Sequence, residues 1–587
     1  MTVAKSSTRL RVIFGVIAFA GIIFLGRLYV IQIVHGAEYR DDAERQYVAT
    51  VADIYNRGSI YLEGRDGERM SAATLETGYV LAINPKLIIN KDDAFRVLSG
   101  AIALDREDFM EKASKKNDPY EEIAVHVNEE TKNAIMELKI PGVQTYRERW
   151  RVYPNGNLAS HVIGMVGYQD GTYSGRYGIE RQYDDVLSRN GDGLYVNFFA
   201  DMFLNISGTL SSDEPRIKEG DVILTIEPRV QKELEQLLAD TQKQWSAENV
   251  GGIVMDPRDG KILAMGALPD FDPNHVGDIP SLQVLTNPLV EGVYEMGSTI
   301  KPLTIAAGLD TGVITTKTTY NDLGVMTLDK KTFSNYDGKA RGPNTPVQEI
   351  LNQSLNTGVA WVESRMGNGV FRQYFREKYH LGDETGIDLP NEVQGLVENL
   401  ESRRDIEYAT ASFGQGIAMT PINVTTALAS LGNGGKLVNP YVVNRVEYTD
   451  GTKRITVPNP PLQVLKPETS DDITRMLVAV VDKALAGGKV KLEDYSIAAK
   501  TGTAQMSRPR ELGGGYYDDR YMHTFFGYYP AYDPQFIVFL YLTYPKDVKY
   551  ASETLTAPFM TMAKFLLHYY NVPPDRGPNV VTLSRRE

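Results

Sequence analysis

Ser298 and Lys301 stand three residues apart, just before an apolar-periodic run at 303–309, and the rest of the chain reads as organised around them. The spacing predicts a helix beginning here, with both side chains on one face of its first turn, because i and i+3 are neighbours on a helix. Gly297 lets the chain bend sharply into that turn, and Pro302 is tolerated because first-turn amides have no partner inside the helix. A serine hydroxyl is a poor nucleophile until a base takes its proton. A lysine one turn away can be that base if its ammonium form is destabilised. The pair alone also occurs by chance, as an exposed helix start. Two later stretches change the odds: Ser354 and Asn356 within 353–357, and Lys500, Thr501, Gly502 and Thr503 within 499–504.

Composition narrows the class of protein. The 587 residues are enough for two or three domains, and 42% apolar with 23% charged residues describes a folded chain. A formal net charge of −13 offers no basic excess to neutralise phosphates, so a nucleic-acid partner is excluded. With no cysteine there is no disulfide or thiolate site. The seven histidines lack metal-binding spacing and no phosphate-binding glycine loop occurs, so neither a metal nor a cofactor is expected.

Residues 12–34 form the one long apolar run, interrupted only by Arg27. As a helix it rises about 34 Å, enough to cross a bilayer core of about 30 Å. Lys5, Arg9 and Arg11 precede it and place the N-terminus in the cytoplasm. Apolar residues continue past Arg27, which favours a retained anchor over a cleaved signal peptide. The expected organisation is a cytoplasmic tail 1–11, an anchor 12–34, a pedestal 35–220, a catalytic domain 221–574 and a tail 575–587.

Along the pedestal, 37–46 reads as a polar helix, 57–61 and 65–67 as strands around an Asp-Gly turn, 77–84 as a strand, and 92–103, 106–114 and 129–138 as helices. No nucleophile, metal or phosphate motif converges there. In the catalytic domain, 222–227, 251–255 and 261–266 read as strands, as do 496–503, 524–529 and 535–544. Helices are expected at 229–242, 299–309, 347–354, 358–365, 421–431, 470–484 and 555–570. Two strands, a helical middle, three strands and a last helix predict an α+β domain whose antiparallel sheet draws on both ends of the domain. Gly513–Gly515 with 516–520 reads as a mobile hairpin loop beside Lys500, Gly414 and Gly416 as structural glycines, and His523 as structural.

S-x-x-K, S-x-N and K-T-G in that order form the active-serine set of penicillin-binding proteins and serine β-lactamases. The chain further resembles the class B penicillin-binding proteins, the monofunctional peptidoglycan D,D-transpeptidases, over nearly its whole length. The likeness runs through Arg27-Leu-Tyr-Val-Ile-Gln32, Arg57-Gly-Ser-Ile60, Leu224-Thr-Ile226, Met255-Asp-Pro257, Gly260-Lys-Ile-Leu-Ala264, Asp270-Phe-Asp-Pro-Asn274, Ser412-Phe-Gly-Gln-Gly416 and Thr420-Pro421. Length and the absence of appended repeats are most like the cell-division (FtsI-like) branch, with the elongation branch the nearer competitor. Met296 stands where the family usually has proline, Leu355 where division-type members often have a second serine, and 57–67 carries two extra residues. No motif of the bifunctional class A glycosyltransferases occurs.

The resemblance implies a penicillin-binding/β-lactamase-like domain of sheet, flanking helices and helical subdomain, on a mixed α/β pedestal. It implies that Ser298 attacks the penultimate D-Ala carbonyl of a stem peptide, with Lys301 as base. To be half neutral near pH 7 that lysine must fall about three pKa units, roughly 4 kcal/mol of destabilised ammonium. Ser354 would relay the proton and Asn356 would orient Lys301 and the substrate amide. Lys500, Thr501 and Thr503 would hold the terminal carboxylate, with Gly502 leaving room for the peptide. The oxyanion hole is implied at the backbone amides of Ser298 and Thr503, donors worth about 3–4 kcal/mol each. Implied partners are stem peptides and lipid-linked precursor strands, β-lactams as covalent inhibitors, the inner membrane, a polytopic SEDS-type glycosyltransferase, and divisome or elongation proteins. The rivals are a β-lactamase or β-lactam sensor on the same fold, and a non-catalytic assembly scaffold.

Overall fold

The computed structural model describes residue 27 and residues 56–115, 118–169, 172–189 and 218–577. The expected tail 1–11, anchor 12–34 (Arg27 excepted) and polar helix 37–46 lie outside the described residues, as do 578–587. The chain folds into two units that do not divide at a single point in the sequence. Gly58–Thr74 and Tyr153–Ser188 pack with the residues from 218 onward, and Leu75–Val152 forms the core of the other unit.

In the smaller unit, Lys91–Leu98, Arg106–Lys112 and Glu129–Glu137 are helices. Asn90, Asp105 and Asn128 precede them, and each side chain accepts the amide three residues on. These caps fix where each helix begins and satisfy one of its orphan donors. The helices cover strands Glu121–Val127 and Val143–Val152 over a core that includes Leu81, Ile83, Leu98, Phe109 and Ile135.

The larger unit is built on a five-stranded antiparallel sheet. Its order is Ala498–Ser507, Tyr516–Tyr529, Phe536–Thr543, Asn249–Met255, Ile262–Leu268. The central strand, Phe536–Thr543, is buried at every position. Its period-2 geometry still sorts the side chains: Val538, Leu540 and Leu542 join the core under helices Pro228–Trp245 and Thr556–Tyr569, while Ile537, Phe539 and Tyr541 face the helical subdomain. An apolar run covered on both faces gives no alternation to read.

The expected α+β sheet is therefore present, with one difference in its strands and a separate strand beside it. Gly220–Leu224 belongs to another sheet, parallel to Ile60–Glu63 and antiparallel to Val443–Tyr448. Residues 516–520, expected in a loop, extend the Tyr516–Tyr529 strand, and only Gly513–Gly515 remain with positive φ beside it.

Candidate active site

The serine motif folds as a 3-10 turn, Gly297–Thr299, leading into helix Lys301–Asp310. Gly297 has φ 58° and donates to the Gly414 carbonyl at 3.0 Å. Gly414 has φ 78°, and a Cβ there would sit 2.3 Å from the Gly297 oxygen, so it backs the serine turn as the structural reading required. On the other side runs the strand Ala498–Ser507. A Cβ on Gly502 would lie 2.3 Å from Thr524 Oγ1 and 2.7 Å from the Met296 carbonyl. The missing side chain of Gly502 thus makes room for the serine turn, not for a ligand. Thr299 and Thr524 hydroxyls both donate to that Met296 carbonyl at 2.9 Å, fastening turn to sheet.

Lys301 is fully buried at the head of its helix, while Ser298 is half-buried at the wall of a cavity. The Lys301 Nζ lies 2.6 Å from the Ser354 carbonyl, 3.1 Å from Ser354 Oγ and 2.8 Å from Asn356 Oδ1. Two of its groups come from one residue because Ser354 has φ 54°, a left-handed conformation that turns carbonyl and hydroxyl together toward the amine. Lys500, 4% exposed, reaches the same Ser354 Oγ at 3.2 Å from the opposite side and the Thr501 carbonyl at 3.0 Å. Burial first, and the Lys500 charge second, hold the Lys301 amine well below the usual lysine range. Burial pushes Lys500 down to about 7.

Asn356 begins helix Asn356–Met366, and its amide nitrogen donates to the Ser334 carbonyl at 3.0 Å, which fixes the oxygen on Lys301. Thr501 and Thr503 line the cavity, and Thr503 Oγ1 accepts the Ala551 amide at 3.0 Å. The serine turn and Thr503 adjoin closely, since a Cβ on Gly297 would lie 3.0 Å from the Thr503 carbonyl oxygen. The cavity holds about 800 Å³, and Ser298, Ser354, Asn356, Lys500, Thr501 and Thr503 all open onto it. Among the described residues lining it there is no Asp or Glu.

A family model, the penicillin-binding protein transpeptidase domain, matches residues 250–563. The chain belongs to this family. A second model, the penicillin-binding protein dimerisation domain, matches residues 55–196. Among curated relatives, stage V sporulation protein D of Bacillus subtilis is 29% identical over 95% of this chain and 85% of its own. The peptidoglycan D,D-transpeptidase FtsI of Escherichia coli is 27% identical over 77% of this chain and 73% of its own. In fold, the chain is similar to penicillin-binding protein 2X of Streptococcus thermophilus, with a TM-score of 0.70 at 18% identity, covering 89% of this chain and 81% of that one. Penicillin-binding protein 3 of Mycobacterium tuberculosis gives a TM-score of 0.66 at 23% identity, covering 89% and 98%.

This class B penicillin-binding protein is a serine-type D,D-transpeptidase of peptidoglycan. Several parts of its site carry no sequence signal. The hairpin Val325–Leu328 with Lys331–Ser334 supplies the cavity wall opposite the site strand, in strands too short and polar to show a period. At its base the fully buried Asp322 accepts from Thr357 Oγ1 at 2.6 Å, from Asn335 Nδ2 at 3.1 and 3.2 Å, and from the Arg341 amide at 3.0 Å. That network anchors the hairpin to the helix carrying Asn356. The helix expected at 470–484 is α-helical only over Pro467–Ala479 and continues as a π-turn, Val480–Ala484, whose residues also face the cavity.

Proposed function

We propose that the chain cross-links stem peptides through an acyl-enzyme on Ser298, with Lys301 as the base. The observation that carries this reading is the set of partners around Lys301. The Ser354 carbonyl and Asn356 Oδ1 can only accept, so they take both N–H groups of a neutral amine. The remaining lone pair is free for a hydroxyl proton. Ser354 Oγ lies between the two lysines, 3.1 Å from Lys301 Nζ and 3.2 Å from Lys500 Nζ, and accepts from either when it is charged, which makes it a relay.

Ser298 Oγ attacks the carbonyl carbon of the penultimate D-Ala. Its proton passes through Lys301 and Ser354 to the nitrogen of the terminal D-Ala as that C–N bond breaks. An amine from a neighbouring stem peptide then attacks the ester carbonyl, its proton returns along the same path, and Ser298 Oγ leaves. The Ser298 amide starts a 3-10 turn and has no partner inside it, as an oxyanion donor requires, and the Thr503 amide is the second donor. Lys500 with the Thr501 and Thr503 hydroxyls receives the terminal carboxylate. A hydrolase would need a base aimed at water, and the carboxylate-free lining supports a long-lived acyl-enzyme instead.

The cellular setting rests on the resemblance: septal wall synthesis, from a single anchor at 12–34 with the bulk outside the cytoplasmic membrane, beside a SEDS-type glycosyltransferase and division proteins. Sporulation protein D among the relatives shows that neighbouring family members carry names from other processes. Three measurements test the reading. Mass spectrometry of the penicillin adduct should find it on Ser298, and an adduct on Ser354 would overturn the roles. A tagged copy should gather at mid-cell, whereas an even side-wall distribution would assign elongation. A chain begun at Gly36 should stay soluble and acylable, and a need for detergent would refute the single anchor.

A further inference from the structure

The site strand gives the cavity a direction. With the terminal carboxylate at Lys500 and Thr501 and the scissile carbonyl at the amides of Ser298 and Thr503, the donor peptide runs on toward Gln505. The residue before the D-Ala pair then lies one extended step, about 3.3 Å, further along. Beside Gln505 the cavity is lined by its register partner Tyr521, and by Lys549 and Tyr550.

Lys549 is held there on a pinned loop. Its carbonyl accepts from Nε2 of the buried His523 at 2.9 Å, and two residues on, the Ala551 amide donates to Thr503 Oγ1 at 3.0 Å. His523 is itself the register partner of Thr503, so both anchors fall on the strand segment that carries the oxyanion donor. Between the anchors the lysine side chain is free. Its Nζ lies 6.0 Å from the Tyr521 ring centre and 5.6 Å from that of Tyr550. Among the described residues that line the cavity, no Asp or Glu stands beside it.

We propose that Lys549 is a specificity-determining residue that binds a carboxylate on the side chain of the donor residue preceding D-Ala-D-Ala. A compact ammonium with three rotatable donors on a flexible stem suits one carboxylate at the end of an amino-acid side chain. The faces of the two tyrosine rings lie beside the ammonium itself. This inference rests on the transpeptidase reading and on the donor direction given above.

The test uses the full-length protein and two synthetic donors ending in D-Ala-D-Ala, identical except that the preceding side chain ends in a carboxylate or a carboxamide. The ratio of their acylation kcat/KM values is read. It should be about fivefold in favour of the carboxylate, the size of a partly exposed ion pair, and should shrink as salt is raised. In Lys549→Met the ratio should fall to about one, and in Lys549→Glu it should invert. A ratio of one in the unaltered protein, or one unchanged in Lys549→Met, overturns the assignment. The salt dependence tests it without any variant, so a misfolded substitution cannot shield it. Failure of both donors to acylate at all would instead contradict the transpeptidase reading.

Discussion

Two buried bases flank the serine turn, and they have opposite fates. Lys301 and His523 are both completely removed from solvent, and burial disfavours the charged form of each. His523 has both ring nitrogens committed: Nε2 must donate to the Lys549 carbonyl, which can only accept, and Nδ1 faces Thr554 Oγ1 at 2.9 Å. It is a strut from the strand Tyr516–Tyr529 to the loop at Lys549 and the short helix Ala551–Thr554. Lys301 has three oxygens around it but, once neutral, only two N–H groups to give, so it keeps a lone pair beside the cavity. Burial alone therefore does not make a catalytic base. On the proposed mechanism, what separates the two is whether the neutral form is left with an unspent lone pair where a substrate proton arrives.

The largest expected effect removes the group that Lys301 serves. Ser298→Ala should abolish covalent penicillin labelling while leaving unfolding stability within about 0.5 kcal/mol, since one hydroxyl at an open cavity wall holds little of the fold. Residual labelling at another serine would break the comparison at its root.

Next come the two bases themselves. Lys301→Met should lower acylation by about 10²–10⁴-fold, the usual range for a general base, with stability little changed or raised, because a buried amine gives way to an apolar chain. His523→Gln should do the reverse, losing stability while the remaining folded fraction still acylates. If acylation and melting measurements show both variants failing in the same way, the distinction drawn here is wrong.

The pH dependence separates the lysines from each other. Below the depressed pKa of Lys301 the base is protonated, so acylation kcat/KM should rise with pH and level off above that value. Lys500→Met removes a neighbouring positive charge, raises the Lys301 pKa and should move this acid limb to higher pH. With a carboxylate-bearing substrate the unaltered protein should also show a falling limb from about 7, where Lys500 loses its proton, and a substrate lacking the carboxylate should not. An acid limb that stays in place in Lys500→Met would show that burial alone sets the base.

The smallest effect is on stability. His523 is held near 4 by burial, against about 6.5 in an unfolded chain. The unfolded state takes up this proton first, so the contribution is fully present above about pH 6.5 and is lost as pH falls toward 4, about 3 kcal/mol in all. His161, also buried and held near 4 with its Nε2 on the Val284 carbonyl, adds a second such step. Melting temperatures of His523→Gln should accordingly fall less steeply across this window, and an unchanged slope would remove His523 as a contributor.

Much of this was legible in the chain because the chemistry sits in short local motifs. Ser298 with Lys301, Ser354 with Asn356, and Lys500 to Thr503 meet at one cavity, and the central strand stood out by its unbroken apolar run. What was not legible depends on distant approach. The true neighbour of Gly502 is the Met296 carbonyl, and nothing local to the strand announces it. The left-handed φ of Ser354, which brings its carbonyl to Lys301, falls at a residue with no intrinsic preference for it. Asp322 supports Asn356 through Asn335 and Thr357, side chains ordinary in sequence and joined only by folding. Likewise Gly58–Thr74 packs with residues from 218 onward, a contact between segments with a whole unit between them.

The proposed mechanism requires Lys301 to work as a neutral amine. Carbon-13 labelling of lysine Cε, with the Lys301 resonance assigned by its loss in Lys301→Met, lets its titration be followed by NMR in the unacylated protein. The midpoint should lie well below the ordinary 10.5 of lysine and rise in Lys500→Met. A Lys301 that titrates near 10.5 would be a charged residue at working pH, and the assignment of the base would be contradicted.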